Sequence, residues 1–170
     1  LTWDFLSRYP VQVEVTNVTW KSNMNITIRA ALKDDSKSVA RLIAGLAGEF
    51  GEISPITPEY AARYLETPGS HVLLAEGDRQ VVGLLSYSIR ANLYHAGDTC
   101  LIEELIVQQS YRGRGIGGRL LEALFRRLVS LECVEVSVTT LPDNQEAIAF
   151  YKSHGMVDEA VYLEKHFSSL

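Results

Sequence analysis

Apolar and polar positions along this 170-residue chain fall into short blocks, and the period within each block predicts its structure. Ile26-Thr27-Ile28-Arg29 alternates as a short strand does. Val39, Leu42, Ile43 and Leu46 then recur at helical spacing, with Asp34 or Asp35 placed to cap that helix. Thr57-Pro58 opens a second helix, a cap followed by proline at the first position, running to about Glu66 and stopping before Pro68-Gly69. His71 to Glu76 and Val81 to Ile89 read as strands joined at the hairpin signal Gly77-Asp78. A polar link, Asn92 to Asp98, leads to a strand from about Thr99 to Val107. Ile116 to Val129 is an amphipathic helix, and Val134 to Thr139 is another strand. Pro142-Asp143-Asn144 ends that strand and caps a helix from about Gln145 to Ser153, with Gly155 as its stop. Met156 to Phe167 reads as one or two closing strands. The order β-α-α-β-β-β-α-β-α-β, with a hairpin at its centre, predicts an α/β protein. Its sheet is mixed, with helices on both faces.

Composition narrows the class. The chain is 46% hydrophobic and 22% charged, as an ordinary globule is, and its length suits one domain. A net charge of -5 argues against a nucleic-acid partner, which wants a basic face. No apolar run reaches the roughly 18 residues of a membrane helix, so no membrane partner is expected. Two cysteines, Cys100 and Cys133, are too few for a disulfide framework and suit a reducing compartment. No signal peptide is legible at Leu1-Thr2-Trp3-Asp4, and a cytoplasmic location is expected. Met24 reads as a candidate start. Residues 1–24, in which Val11, Val13 and Val15 alternate as a strand does, are an N-terminal extension of unassigned role. Residues 25–170 form the single domain.

Tyr111-Arg112-Gly113-Arg114-Gly115-Ile116-Gly117-Gly118-Arg119 lies between an apolar strand and a helix. The first N–H groups of a helix have no partner within it, and the helix dipole adds partial positive charge there. Glycines let backbone approach a phosphate closely, and the arginines add charge. A diphosphate ligand is expected. Gly113, Gly115 and Gly118 also satisfy the dinucleotide pattern G-x-G-x-x-G. A nucleotide-binding domain of that kind places the loop after its first strand, whereas here it comes two-thirds of the way along.

Arg112, Gly115 and Gly117 fit R-x-x-G-x-G as well. Asn144-Gln145-Glu146-Ala147-Ile148-Ala149-Phe150-Tyr151-Lys152-Ser153-His154-Gly155-Met156 fits N-x-x-A-x-x-F-Y-x-x-x-G-F, with Met156 in place of phenylalanine. With these two motifs, and the element order from Ile26 to Phe167, the chain resembles the GNAT superfamily of acyl-CoA-dependent N-acetyltransferases. The resemblance implies the GNAT fold, a central mixed sheet with a splayed strand pair, and acetyl-CoA as cofactor. It implies a coenzyme A diphosphate on the N–H groups of Arg112, Gly113, Arg114, Gly115, Ile116, Gly117 and Gly118. The pantetheine arm is expected along the backbone edge of Leu105, Ile106 and Val107, with Val134 to Thr139 as the partner strand and Asn144 on the other side. Tyr151 is implied as the acid that protonates the departing thiolate, while Phe150 reads as core.

Glu103 and Glu104 are adjacent on a strand, so they are expected on opposite faces: Glu103 with Leu101, Leu105 and Val107, Glu104 with Ile102 and Ile106. An ammonium group of pKa near 10.4 must lose a proton before it attacks a thioester, and a carboxylate can take it. The resemblance puts Glu103 at the base position, with Glu104 as the alternative. Tyr94-His95, Tyr60, Tyr64 and Phe50 are candidates to shape the acceptor pocket. His71, His154 and His166 lack metal-ligand spacing, so no metal is expected. Cys100 has no companion motif for nucleophilic catalysis, which favours direct attack by the amine in a ternary complex. The acceptor is expected to be a primary amine of a small molecule or peptide, and association into a homodimer is common in the superfamily. Two other classes stay open: a GNAT-fold coenzyme A sensor without turnover, and a Rossmann-like enzyme using Glu132 or Glu135 on a ribose.

Overall fold

The computed structural model describes residues 25–166. The strand expected near Val11 to Val15 and the extension 1–24 lie outside the described residues. Nine elements carry the fold: β1 (Ile26–Ala30), α1 (Ser36–Glu49), α2 (Pro58–Leu65), β2 (Ser70–Gly77), β3 (Gln80–Asn92), β4 (Gly97–Val107), α3 (Ile116–Ser130), β5 (Glu135–Val138) and α4 (Gln145–Ser153). The strands form one sheet in the order β1-β2-β3-β4-β5. The first four are antiparallel, and β5 lies parallel to β4. A Rossmann-like domain carries its glycine loop after the first strand of a mostly parallel sheet, whereas among the described residues β4 and β5 are the one parallel pair beside four antiparallel strands, so this topology sets that reading aside.

Local chemistry explains most boundaries. Thr57 caps α2 by accepting the Tyr60 N–H at 3.2 Å, and Pro58 takes the first position. The β2–β3 turn has Asp78 and Arg79 at φ 51° and 63°, the positive values that two-residue hairpin turns need. α4 ends in a Schellman motif: Met156 N–H donates to Tyr151 O at 3.2 Å and Gly155 N–H to Lys152 O at 3.0 Å, with Gly155 at φ 87°. Asp35 precedes α1 as expected, but its carboxylate does not cap the helix. It accepts the Leu32 N–H at 2.8 Å and pairs with Arg29, which also bonds Glu76 and so ties β1 to β2.

The sheet separates two cores. On one face α1 and α2 bury Val39, Leu42 and Ala61 against Val72, Leu74, Leu84 and Ile106. On the other α3 buries Ile116, Leu120, Leu121, Leu124 and Leu128 against Leu73, Leu85, Tyr87 and Ile102, and Tyr151 of α4 joins them. Each fully buried aliphatic side chain contributes about 1.5–3 kcal/mol, so α3 is the main anchor of its face.

The expected closing strands do not form among the described residues: Met156 to His166 has no regular structure. A strand exists only by pairing with a neighbour, and Val157, Val161, Tyr162 and Leu163 lie exposed instead of packed on a sheet.

Candidate active site

The centre of β4 departs from simple alternation. Ser86 of β3 faces Glu104, yet Tyr87 faces Ile102, so Glu103 is an extra residue in a β-bulge. The bulge reverses the facing of everything after it. Cys100 and Ile102 sit in the α3 core, and Leu105 and Val107 pack on that same core, whereas Ile106 joins the α1/α2 core. This corrects the expected sharing of faces. Glu103 does not lie with Leu105 and Val107, and both carboxylates turn to the α1/α2 side.

There they meet two serines. Ser88 Oγ donates to Glu103 Oε1 at 2.8 Å. Ser86 Oγ donates to Glu104 Oε2 and accepts the Glu104 N–H at 3.1 Å. Glu103 is exposed and Glu104 half-buried. Burial first, and the charge of Glu103 in addition, push the Glu104 carboxyl above the usual carboxylate range, against the pull of the Ser86 hydroxyl. Tyr64 of α2 faces the same group. Burial, then the charges of Glu104 and Glu103, push its phenol up to about 12. The serines carried a signal that sequence reasoning passed over: polar residues two apart in an apolar strand share one face.

β5 pairs with β4 only from Thr99 to Ile102. Among the described residues, the β5-side edge of β4 is open beyond Ile102. Gln108 N–H bonds Val82 O across the β3 ladder at 2.9 Å. By the alternation of an antiparallel pair, Ile106 also points its backbone at β3, and Leu105 and Val107 point theirs at the open edge. Arg112 Nε–H, which donates to Val107 O at 2.9 Å, agrees with that orientation. Of the three residues expected to offer their backbone there, Ile106 is therefore turned away. Val134, expected in the partner strand, precedes β5 but bonds Asp98 O at 2.9 Å.

At the end of this open edge stands the glycine loop. Gly113 and Gly115 have φ of 71° and 74°, and a Cβ at either would meet nothing within 4 Å. Glycine is needed there for backbone conformation, and the space beside it is open for a ligand. Gly115 is the N-cap of α3, which has no side-chain cap. The amides of Ile116, Gly117 and Gly118 thus have no intrahelical partner, and these residues fit a diphosphate. Gly117 packs against Phe150, and a Cβ on Gly118 would meet His154 Nε2 at 3.0 Å, so these glycines let α3 and α4 approach. The arginine side chains mostly brace the loop. Arg112 pairs with Glu49 of α1, Arg114 donates to Ser110 O at 3.0 Å, and Arg119 donates to Ile26 O at 2.6 Å.

Tyr151 lies in the α3 core at 9% exposure, and burial pushes its phenol up to about 12. Asn144 caps α4, its Oδ1 accepting the Ala147 N–H at 3.1 Å. Cys100 is buried and its thiol is pushed up to about 12, so it is no thiolate near neutral pH. Of the acceptor-pocket candidates only Tyr64 reaches the carboxylates. Tyr60 and Phe50 are exposed. Tyr94 and His95 sit at the tip of the β3–β4 hairpin, where His95 pairs with Glu135 at 3.0 Å.

The model of the acetyltransferase (GNAT) family matches residues 39–156. The chain belongs to that family. It is an N-acetyltransferase, moving an acetyl group from acetyl-CoA to an amine. Thialysine N-epsilon-acetyltransferase of Bos taurus is 29% identical over 145 residues, 78% of this chain and 85% of the relative. Aminoalkylphosphonate N-acetyltransferase of Salmonella typhimurium is 31% identical over 145 residues, 82% of this chain and 86% of the relative. Among solved structures, an aminoglycoside acetyltransferase from an uncultured soil metagenomic sample shares the fold with a TM-score of 0.75 at 20% identity, covering 85% of this chain and 97% of its own.

Proposed function

We propose that this acetyltransferase acts on a small, positively charged primary amine by direct attack, with Glu103 as base and Tyr151 as acid. The observation that carries the reading is the bulge. It sets an exposed carboxylate on the α1/α2 side of β4, beside the stretch where the other edge of the strand is open, and this supports reading that side as the acceptor's. Glu103 is reachable by a substrate, and geometry comes before proton affinity in choosing a base. Glu104 lies deeper and adds negative charge to the same side. Two carboxylates favour a cationic acceptor of the thialysine kind over an aminoalkylphosphonate, whose phosphonate is repelled.

Acetyl-CoA supplies the acetyl group as a thioester. The amides of Gly113 to Gly118 hold its diphosphate and position the reacting end. The Leu105 and Val107 N–H groups face the open edge and stabilise negative charge developing on the carbonyl oxygen. Glu103 accepts the ammonium proton. Tyr151, protonated near neutral pH, holds the proton for the departing sulfur. Asn144, at the head of α4, borders the cofactor from the other side. The raised Cys100 thiol weighs against an acyl-cysteine route. The free thiols Cys100 and Cys133 support a reducing, cytoplasmic setting, and the net charge of -5 supports a site that does not serve nucleic acid.

The test is coenzyme A release with thialysine, spermidine or aminomethylphosphonate as acceptor. The cationic amines should react and the phosphonate should lag by at least about tenfold. Glu103→Gln should lower kcat by about a hundredfold or more, and Glu104→Gln by less than about tenfold. The reverse order would make Glu104 the base.

A further inference from the structure

Ser86 is 3% exposed and has no part in the chemistry assigned so far. Its hydroxyl grips the residue after the bulge twice, accepting the Glu104 main-chain N–H and donating to the Glu104 carboxylate. A hydroxyl has one proton and two lone pairs, so it can do both at once. We propose that Ser86 is a positioning residue for acetyl transfer: by holding Glu104 on both counts it pins the β4 bulge, and the bulge aims Glu103 at the acceptor and the Leu105 and Val107 amides at the open edge. The assignment to Glu103 rests on the reading above of that residue as base.

The reason lies in the period of a strand. A slip of one residue turns every side chain to the opposite face and exchanges the backbone groups that face each neighbour. If the extra residue moved along β4, the open-edge amides would turn into the β3 ladder and Glu103 would leave the acceptor side. The hairpin ladder alone does not choose where the bulge falls. The pairs Leu85–Leu105 and Leu84–Ile106 follow the bulge and Tyr87–Ile102 precedes it. Beside Ser88, which holds the Glu103 carboxylate alone, the Ser86 hydroxyl marks the position, because it reaches both the amide and the carboxylate of the residue opposite it. Glu104 is that residue. Tyr64 of α2 and Glu103 are the titratable groups that face Glu104, and Tyr64 covers the cluster from the helix side. Glu104 thus serves as the handle that Ser86 holds, and Glu103 as the group that reacts.

The experiment compares Ser86→Ala and Ser86→Thr with the unaltered chain. It reads kcat, the KM for acetyl-CoA, and the amide NMR signals of Glu103 to Val107. Ser86→Ala is expected to lower kcat by about tenfold or more, since small misplacements of reacting groups cost that much, while the KM for acetyl-CoA stays within about twofold. The Glu103 to Val107 signals are expected to broaden or double, and those of Gly113 to Gly118 to hold. Ser86→Thr, which keeps the hydroxyl, should restore kcat to within about threefold. Unchanged kcat and unchanged bulge signals in Ser86→Ala overturn the proposal. So does a loss of kcat matched by an equal loss of acetyl-CoA binding, the mark of a general structural defect. A fully active Glu103→Gln alongside a slow Ser86→Ala would remove Glu103 as base while leaving Ser86 as the residue that sets the bulge.

Discussion

Tyr151, the proposed proton donor, shows what burial does to a phenol. A phenol in the α3 core is held at about 12, above its ordinary 10.0, because water no longer stabilises its anion. A general acid must be protonated before it acts, so the direction of the shift suits the role. Tyr151→Phe is expected to lower kcat by about a hundredfold with little change in acetyl-CoA affinity. The sign of the pH dependence follows. The raised value keeps the acid competent through the alkaline range, so Tyr151 causes no fall in kcat below about pH 11. Stability linked to it is fully present below the ordinary phenol value and is lost as pH rises from about 10 towards 12. A kcat that drops between pH 8 and 10 in the unaltered chain, with the drop absent in Tyr151→Phe, would contradict this. At this scale the sequence was readable where a local signal fixed the contact, as at the Asn144 cap of α4. It was unreadable where one inserted residue decided direction: the period-two rule put Glu103 and Glu104 on opposite faces, and the bulge put them on one.

Among the elements, α3 and the loop before it show how conformation and charge divide the work. Gly115 caps α3 with φ at 74° and open space around it. Gly115→Ala is expected to cost about 1–2 kcal/mol of stability, because a Cβ disfavours the left-handed region. Gly115→Asp tolerates that region better, yet it sets a carboxylate at the proposed diphosphate site. It should unfold no more easily than the alanine variant and bind acetyl-CoA at least about tenfold more weakly. Calorimetric titration of both variants, with melting curves, checks the pair; equal affinities would move the diphosphate off the loop. This helix, the Thr57-Pro58 start of α2 and the Gly155 stop of α4 were legible because the signals that make them are local. Closing strands after Met156 were expected from apolar content alone, and content does not supply a partner edge.

For the whole molecule, the order of elements predicted a mixed sheet with helices on both faces, and the five-stranded sheet with parallel β4 and β5 agrees. The open stretch of β4 arises only at this scale, because β5 stops pairing at Ile102 while β4 runs on to Val107 and delivers the chain to the glycine loop. An edge, a helix terminus and a buried phenol from separate parts of the chain are the groups along which we propose the extended thioester lies. The most direct test is to titrate the ¹⁵N-labelled chain with acetyl-CoA and follow its amide signals. The account predicts saturable shifts concentrated at Leu105, Val107 and Gly113 to Gly118, with the β2–β3 turn at Asp78 and Arg79 unmoved. Shifts centred elsewhere, with Leu105, Val107 and the glycine loop silent, would contradict it.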